Sequence, residues 1–137
     1  MARYTFKKEE RLCNKRLLAQ LYQSGSSFLL YPYKVVFLPY TPLNAPVQVV
    51  ISVSKRRFKK AVERNLLKRR IREAYRLRKA EQLYTFLEDK ATGLLLSIQY
   101  VGKEIHDSTL LHCKMEQLLF RLRDEYIKSL WSRGLNG

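Results

Sequence analysis

The stretch from Lys55 to Arg76 constrains this chain most, because it combines helical periodicity with a large excess of positive charge. With about 100° of rotation per residue, one side of a helix through this stretch collects apolar residues, namely Leu66, Leu67, Ile71, Ala74 and Leu77. A stripe about 100° wide on the opposite side is polar and cationic. We call it the basic stripe, and it consists of Asn65, Lys68, Arg69, Arg72 and Arg76.

In most proteins a run of charge is a solvated helix face, and this is the alternative to a binding site. Solvated helices usually alternate the sign of charge, because like charges four residues apart repel by a few tenths of a kcal/mol. The basic stripe accepts that repulsion along its length. Its arginines offer a planar fork that matches phosphate oxygens, and Asn65 can bond a base edge or a sugar hydroxyl. The pattern therefore favours a nucleic-acid-binding face.

The overall composition supports a polyanionic partner. The 137 residues include 27 Lys and Arg against 12 Asp and Glu, so the formal net charge is +15 and the pI is near 10.1. Self-repulsion of this size usually accompanies a polyanion. No apolar run approaches the ~18 residues of a spanning helix, and no secretory signal is expected. Cys13 and Cys113 are predicted to be reduced thiols, which fits the cytoplasm.

The rest of the chain predicts one α/β (α+β) domain over residues 1–137, with a four-stranded mixed sheet and three helices in a two-layer sandwich. Asn14 is expected to cap the first helix, and Gly25 to end it in the left-handed conformation. The order is αβββαβα. The predicted elements are a helix over 15–24, strands near 28–30, 33–38 and 47–54, the basic helix over 58–78, a strand over 94–101 and a last helix from Asp107 or Ser108.

Catalysis by the protein itself is not expected. A nuclease needs a metal-binding acid cluster or a His-based acid–base pair. The neighbouring acids point to different sides of a helix, and Cys113 has no CxxC partner for zinc. The residues considered were the pairs Glu9-Glu10, Glu88-Asp89 and Asp124-Glu125, with His106 and His112. The sequence therefore predicts no catalytic residues and no metal bound by the protein alone.

The basic helix resembles the signature helix of the bacterial ribonuclease P protein component. The resemblance is carried by Ser54-Lys55-Arg56, by Ala61-Val62 and by the contiguous run from Arg64-Asn65 to Tyr75-Arg76. Arg11-Leu12 before a helix that ends at Gly25 is similar to the family's opening, and the element order agrees. Three positions differ from the family pattern: Lys59 replaces a glycine, and Leu17-Leu18 replaces an Asp-Phe pair that supplies one aromatic wall of a cleft.

The resemblance implies a ribosomal-protein-like fold with a left-handed βαβ crossover, and a subunit of the endoribonuclease ribonuclease P. In that family a catalytic RNA, with magnesium in the RNA part, removes the 5′ leader of precursor tRNA. The expected partners are therefore the catalytic RNA and precursor tRNA, with no membrane and no DNA. The residues expected to contact the catalytic RNA are Lys55, Arg56, Arg64, Asn65, Lys68, Arg69, Arg72 and Arg76.

A second surface is implied between the sheet and the first helix, where the family holds the single-stranded leader. Binding of single-stranded RNA without sequence preference uses aromatic platforms beside positive charge. The candidates are Tyr22, Tyr33 and Phe37, with Lys15 and Lys34 nearby. The alternative for Tyr33 and Phe37 is the core, because aromatic residues at alternate strand positions are usually buried.

Three other classes remain open at this point. A ribosomal protein or RNA chaperone would share the charge and size without needing the Arg-Asn helix. A DNA-binding factor with the basic helix in a major groove would favour an all-helical core, against which the strand-rich stretch from Phe28 to Ser54 argues. Membrane-surface binding is disfavoured because the apolar side of the basic helix lacks Trp and Phe.

Overall fold

The computed structural model describes residues 6–88, 90 and 92–134, with side chains described as far as Leu130. A short 3-10 turn (Lys8–Glu10) precedes the first helix. The elements that follow are α1 (Lys15–Ser24), β1 (Ser26–Leu30), β2 (Tyr33–Tyr40), β3 (Val47–Val53), α2 (Ala61–Lys79), β4 (Gly93–Tyr100) and α3 (Ser108–Gly134). Beyond Lys79, α2 runs on through a π-helical turn (Ala80–Tyr84) and a last turn (Thr85–Leu87). Within the described residues, no helix is long and apolar enough to cross a membrane.

The four strands form one mixed sheet in the order β1-β2-β4-β3. β2 pairs antiparallel with β1 and with β4, while β3 pairs parallel with β4, Val49 lying opposite Leu96. A parallel pair needs a crossover connection, and α2 supplies it between β3 and β4. The predicted fold class is confirmed: a four-stranded mixed sheet with three helices in the order αβββαβα.

Side-chain alternation divides the sheet into two faces. Tyr33, Val35 and Phe37 of β2 point to the face covered by α2 and α3, where they join the larger core. Val36 and Leu38 point to the other face, where α1 packs over a smaller cluster. α1 covers this second face only in part. The sheet therefore keeps one fully buried face and one face that is partly open.

α1 begins and ends at the residues that the sequence predicts, but Gly25 acts differently from the prediction. The side chain of Asn14 accepts hydrogen bonds from the backbone N–H groups of Arg16 and Leu17, which confirms the cap. Gly25 has an extended backbone (φ −75°, ψ 156°), so the predicted left-handed stop is wrong. A Cβ at this position would lie 2.4 Å from the carbonyl oxygen of Leu21. Glycine is required here by close backbone approach, because the chain turns directly from α1 into β1.

Candidate nucleic-acid interface

α2 has the two faces that its sequence predicts. Leu67, Ile71 and Ala74 are fully buried against the sheet. In the basic stripe, Asn65, Arg69 and Arg72 are exposed and Lys68 is half-buried. Within the part of the chain that the structure describes, no ion pair involves Lys68, Arg69 or Arg72. These three cations therefore stand at the surface without a carboxylate partner.

The last residue of the basic stripe differs from the others, because Arg76 is neutralised locally. Its Nη2 lies 2.5 Å from Oε1 of Glu73, one turn back on the same helix. The hydrogen bond from Arg76 lowers the pKa of Glu73. The unneutralised part of the basic stripe thus lies between Asn65 and Arg72.

Arg64, predicted to contact RNA, has a structural role that the sequence did not reveal. Its guanidinium donates hydrogen bonds to the backbone carbonyls of Phe58 and Lys59, at 2.8 and 2.9 Å. These bonds hold the turn that leads into α2, which begins at Ala61 and not at the predicted residue 58. Lys55 and Arg56 lie exposed in the loop just before this turn. Arg64 therefore positions the backbone beside the interface.

Three further arginines, in or just after the stretch from Lys55 to Arg76, bind groups elsewhere in the fold. Nη1 of Arg70 donates to the carbonyl of His106 at 2.8 Å, and Nη1 of Arg57 donates to that of Val101 at 2.5 Å. Nη1 of Arg78 lies 2.8 Å from Nδ1 of His112 on α3. Arg70 and Arg78 lie outside the basic stripe on the helical wheel, and this phase is the sequence signal that separates them from Arg69 and Arg72.

The open part of the second sheet face carries a separate group of polar side chains. Tyr22 of α1 is 47% exposed, and its hydroxyl lies 2.8 Å from Oγ of the buried Ser97 on β4. The adjacent cross-strand pair on the same face is Lys34 with Gln99. Lys34 is exposed, and Lys15 is exposed in the first turn of α1. The structure thus brings Tyr22 and Lys34 onto the same face of the sheet.

The prediction that Tyr33 and Phe37 line this surface is wrong. Their exposed fractions are 0% and 1%, and both lie in the larger core on the opposite side of the sheet. The reason is strand parity: Lys34 and Val36 face α1, so Tyr33 and Phe37 must face α2 and α3. The Tyr33 hydroxyl donates to the carbonyl of Leu111 at 3.0 Å, and burial raises the pKa of this tyrosine strongly.

Sequence reasoning missed Ser97 and Gln99 on this surface. Leu95, Ser97 and Gln99 lie on one face of β4, and Leu96 and Ile98 lie on the other. The two polar residues therefore interrupt the apolar run at alternate positions. That alternation is the signal that could have identified them. A buried strand with every second residue polar indicates one face that is not fully covered.

The described residues offer no site for a metal ion. Among residues 6–88, 90 and 92–134, no three His, Cys, Asp or Glu side chains come together as such a site requires. Asp89 of the pair Glu88-Asp89 lies outside the described residues. The carboxylate of the buried Glu10 forms an ion pair with the ammonium of Lys79.

Comparison with solved structures supports the fold. The chain is similar to the RNase P protein from Thermotoga maritima, with a TM-score of 0.64 and 25% identity over 82% of this chain and 96% of that one. It is also similar in fold to the Staphylococcus aureus RNase P protein, with a TM-score of 0.65 and 20% identity over 82% and 94% of the two chains.

Sequence comparison gives the same result. The family model described as Ribonuclease P matches residues 6–94. The ribonuclease P protein component of Porphyromonas gingivalis is 32% identical over 122 residues, which is 88% of each chain. That of a Picosynechococcus species is 42% identical over 118 residues, or 85% of this chain and 86% of the relative. The chain therefore belongs to the ribonuclease P protein component family.

Proposed function

We propose that this protein binds the catalytic RNA of ribonuclease P through the basic stripe and the adjoining loop, and so assists RNA-catalysed removal of the 5′ leader from precursor tRNA. The observation that carries the proposal is the unpaired state of Lys68, Arg69 and Arg72 on an otherwise packed helix. Lys68 and Arg69 are adjacent and Arg72 lies about one turn farther along the same packed helix, so the three cations are held together where they can contact phosphates.

The loop before α2 extends this contact surface. Lys55 and Arg56 are exposed there, and Lys59 and Lys60 follow, also exposed. Asn65 lies at the start of the basic stripe, where it can bond a base edge or a sugar hydroxyl beside the phosphate contacts. Arg64 holds the turn between the two parts, so the loop and the helix present their cations together.

The partly open sheet face is proposed as the surface for the single-stranded leader. Tyr22 offers an exposed ring, and its hydroxyl is anchored on Ser97 so that the ring orientation is fixed. Lys34 on β2 and Lys15 in the first turn of α1 are exposed and supply positive charge. An aromatic platform flanked by cations binds single strands with little sequence preference, which suits leaders of different sequence.

The chemistry is assigned to the RNA. We propose that the RNA part would hold magnesium, which would supply activation of the water that hydrolyses the phosphodiester bond between leader and tRNA, while this chain supplies binding and orientation in the cytoplasm. Asn65 and Arg69 would hold the RNA backbone close to that reaction centre. The protein's contribution is then expected in substrate affinity and in the concentration of magnesium that the reaction needs.

Reconstitution tests this function. The purified chain is mixed with a bacterial ribonuclease P RNA and a precursor tRNA carrying a labelled 5′ end, at a magnesium concentration where the RNA alone is inactive. Release of the intact leader should require both the RNA and the protein. Cleavage by the protein without the RNA, or no stimulation of the RNA by the protein, would contradict the proposal.

A further inference from the structure

We propose that the N-terminal segment, residues 7–16, is a second binding surface for the phosphate backbone of the same catalytic RNA, separate from the basic stripe. This inference rests on the proposed function, since it concerns the same partner. It adds a surface that lies outside the basic helix and that shares only Lys15 with the open sheet face.

The segment lies along the outer edge of β3. The backbone N–H of Leu12 donates to the carbonyl of Val49 at 2.9 Å, and Arg11 pairs in parallel with the same residue. The side chain of Gln48 donates to the carbonyl of Glu9 at 3.1 Å. The segment therefore covers a strand edge that would otherwise leave backbone groups unpaired.

Five cations stand exposed on this short segment, and they are Lys7, Lys8, Arg11, Lys15 and Arg16. Among the described residues none of the five forms an ion pair. The segment has two acids, of which Glu9 is exposed and Glu10 is buried. The exposed charge of the segment is therefore strongly positive, as expected of a surface for a polyanion.

A buried ion pair fixes where these cations lie. The side chains of Glu10 and Lys79 are 8% and 3% exposed and are paired, and Tyr84 also donates to the Glu10 carboxylate. The backbone N–H of Lys7 donates to Oε2 of Glu10 at 2.6 Å. A buried pair gains little net stability because both charges lose their hydration. Its evident effect here is to hold the segment on the end of α2.

Contacts of the Phe6 ring with α2 strengthen the attachment of the segment. Its ring meets Tyr75 edge-on, with the centroids 6.1 Å apart. The guanidinium of Arg11 and the ammonium of Lys79 lie 5.5 and 5.4 Å from the ring centroid. The cations of the segment are thus presented from a fixed backbone.

The segment contacts α2 at Lys79, about one turn beyond the last residue of the basic stripe. On the helical wheel Lys79 lies about 20° from Arg72, so α2 turns the basic stripe toward the segment. Burial lowers the pKa of Lys79, although the paired Glu10 carboxylate opposes this shift. The exposed cations of the segment and those of the basic stripe are therefore two patches, and between them lie Arg76, paired with Glu73, and the buried Lys79, paired with Glu10.

The two cysteines provide a matched test. Both are free and exposed, Cys13 within the segment and Cys113 on α3. An Fe(II)–EDTA cleavage reagent is attached to Cys13 in the Cys113→Ser variant, and to Cys113 in the Cys13→Ser variant. Each is bound to the catalytic RNA without precursor tRNA. We expect localised RNA cleavage from Cys13 and at least fivefold less from Cys113. Equal or stronger cleavage from Cys113 would overturn the proposal.

Affinity measurements separate this inference from the proposed function. The variant Lys7→Gln/Lys8→Gln/Arg11→Gln is compared with Lys103→Gln/Lys114→Gln/Lys128→Gln, which removes the same charge elsewhere, and with Arg69→Ala/Arg72→Ala. We expect the segment variant to bind the catalytic RNA at least about tenfold more weakly at 0.1 M salt, and the slope of log affinity against log salt to fall by about two. The charge-matched control should change little.

The outcomes are distinguishable. If Arg69→Ala/Arg72→Ala weakens binding while the segment variant matches its control, the segment is not an RNA contact and the proposed function stands. If neither variant changes the affinity, both ideas are wrong. Circular dichroism and thermal unfolding show whether each variant is folded. If the segment variant is unfolded, the tethered-cleavage experiment alone tests whether the segment contacts the RNA.

Discussion

Individual arginines on α2 have different tasks although they are chemically identical. Arg69 has no partner among the described residues, while Arg64 donates to two backbone carbonyls and Arg76 is paired with Glu73. Charge density in the sequence identifies the segment but not this division. The division follows from where each guanidinium finds an acceptor within reach, which depends on the folded neighbours of the helix.

Arg69→Ala and Arg64→Ala should therefore separate binding from stability. Arg69→Ala is expected to weaken catalytic-RNA affinity by about fivefold at 0.1 M salt and to leave the free energy of unfolding unchanged. Arg64→Ala should also destabilise the fold, by about 1–2 kcal/mol, because two carbonyls lose a charged donor. Urea denaturation and filter binding measure both quantities. Equal stability of the two variants would show that the Arg64 hydrogen bonds are unimportant.

The buried Glu10 predicts a pH dependence of stability. Burial raises the pKa of this carboxyl, but hydrogen bonds from Lys79, Tyr84 and the backbone of Lys7 together lower it below its usual value. The unfolded chain then binds more protons than the folded chain in acid. The stabilisation by Glu10 is present above about pH 4.3 and is lost as the pH falls through the lowered pKa of the folded state.

Glu10→Gln tests this directly. We expect the variant to lose about 3 kcal/mol at pH 7, because Lys79 is left buried without a counter-charge. The loss should shrink as the pH falls below about 4.3, where the wild-type protein loses the same interaction. Urea unfolding of both proteins from pH 3 to pH 7 provides the measurement. A constant difference across that range would contradict the assignment.

At the scale of elements, periodicity predicted most of the fold. Asn14 and the apolar spacing of α1 gave its bounds, and the phase of α2 gave its packed and exposed faces. What periodicity left open was strand parity. Alternation groups Tyr33 with Phe37, but it does not say which face of the sheet α1 covers, since that depends on packing between elements distant in sequence. The π-helical continuation of α2 has no signal that we could identify in the sequence.

Tyr22 and Tyr33 lie on opposite sides of the sheet, and this placement gives opposite predictions for their substitution. Tyr22→Ala should weaken binding of leader-bearing precursor tRNA to the assembled enzyme by about 1–3 kcal/mol, the usual effect of losing one stacked base, with little effect on mature tRNA. Tyr33→Phe should leave leader binding unchanged and cost about 1 kcal/mol of stability, because its hydrogen bond to Leu111 is lost. A leader-specific loss in Tyr33→Phe, or equal losses for both RNAs in Tyr22→Ala, would contradict the placement.

At the scale of the whole molecule, the fold determines where the net charge of +15 lies on the surface. The sheet and the buried face of α2 hold one side of that helix rigid, so Lys68, Arg69 and Arg72 project together. An anionic partner would offset the mutual repulsion of these three cations. Binding should then release counterions from the RNA, and affinity should depend steeply on salt.

The salt dependence of catalytic-RNA affinity tests this central claim most directly. Dissociation constants are measured between 0.05 and 0.4 M salt for the wild-type protein and for Arg69→Ala/Arg72→Ala. Log affinity should fall linearly with log salt, and the double variant should reduce the slope by about 1.4–1.8, at 0.7–0.9 per lost phosphate contact. Identical slopes for the two proteins, or a flat response of the wild type, would contradict the account.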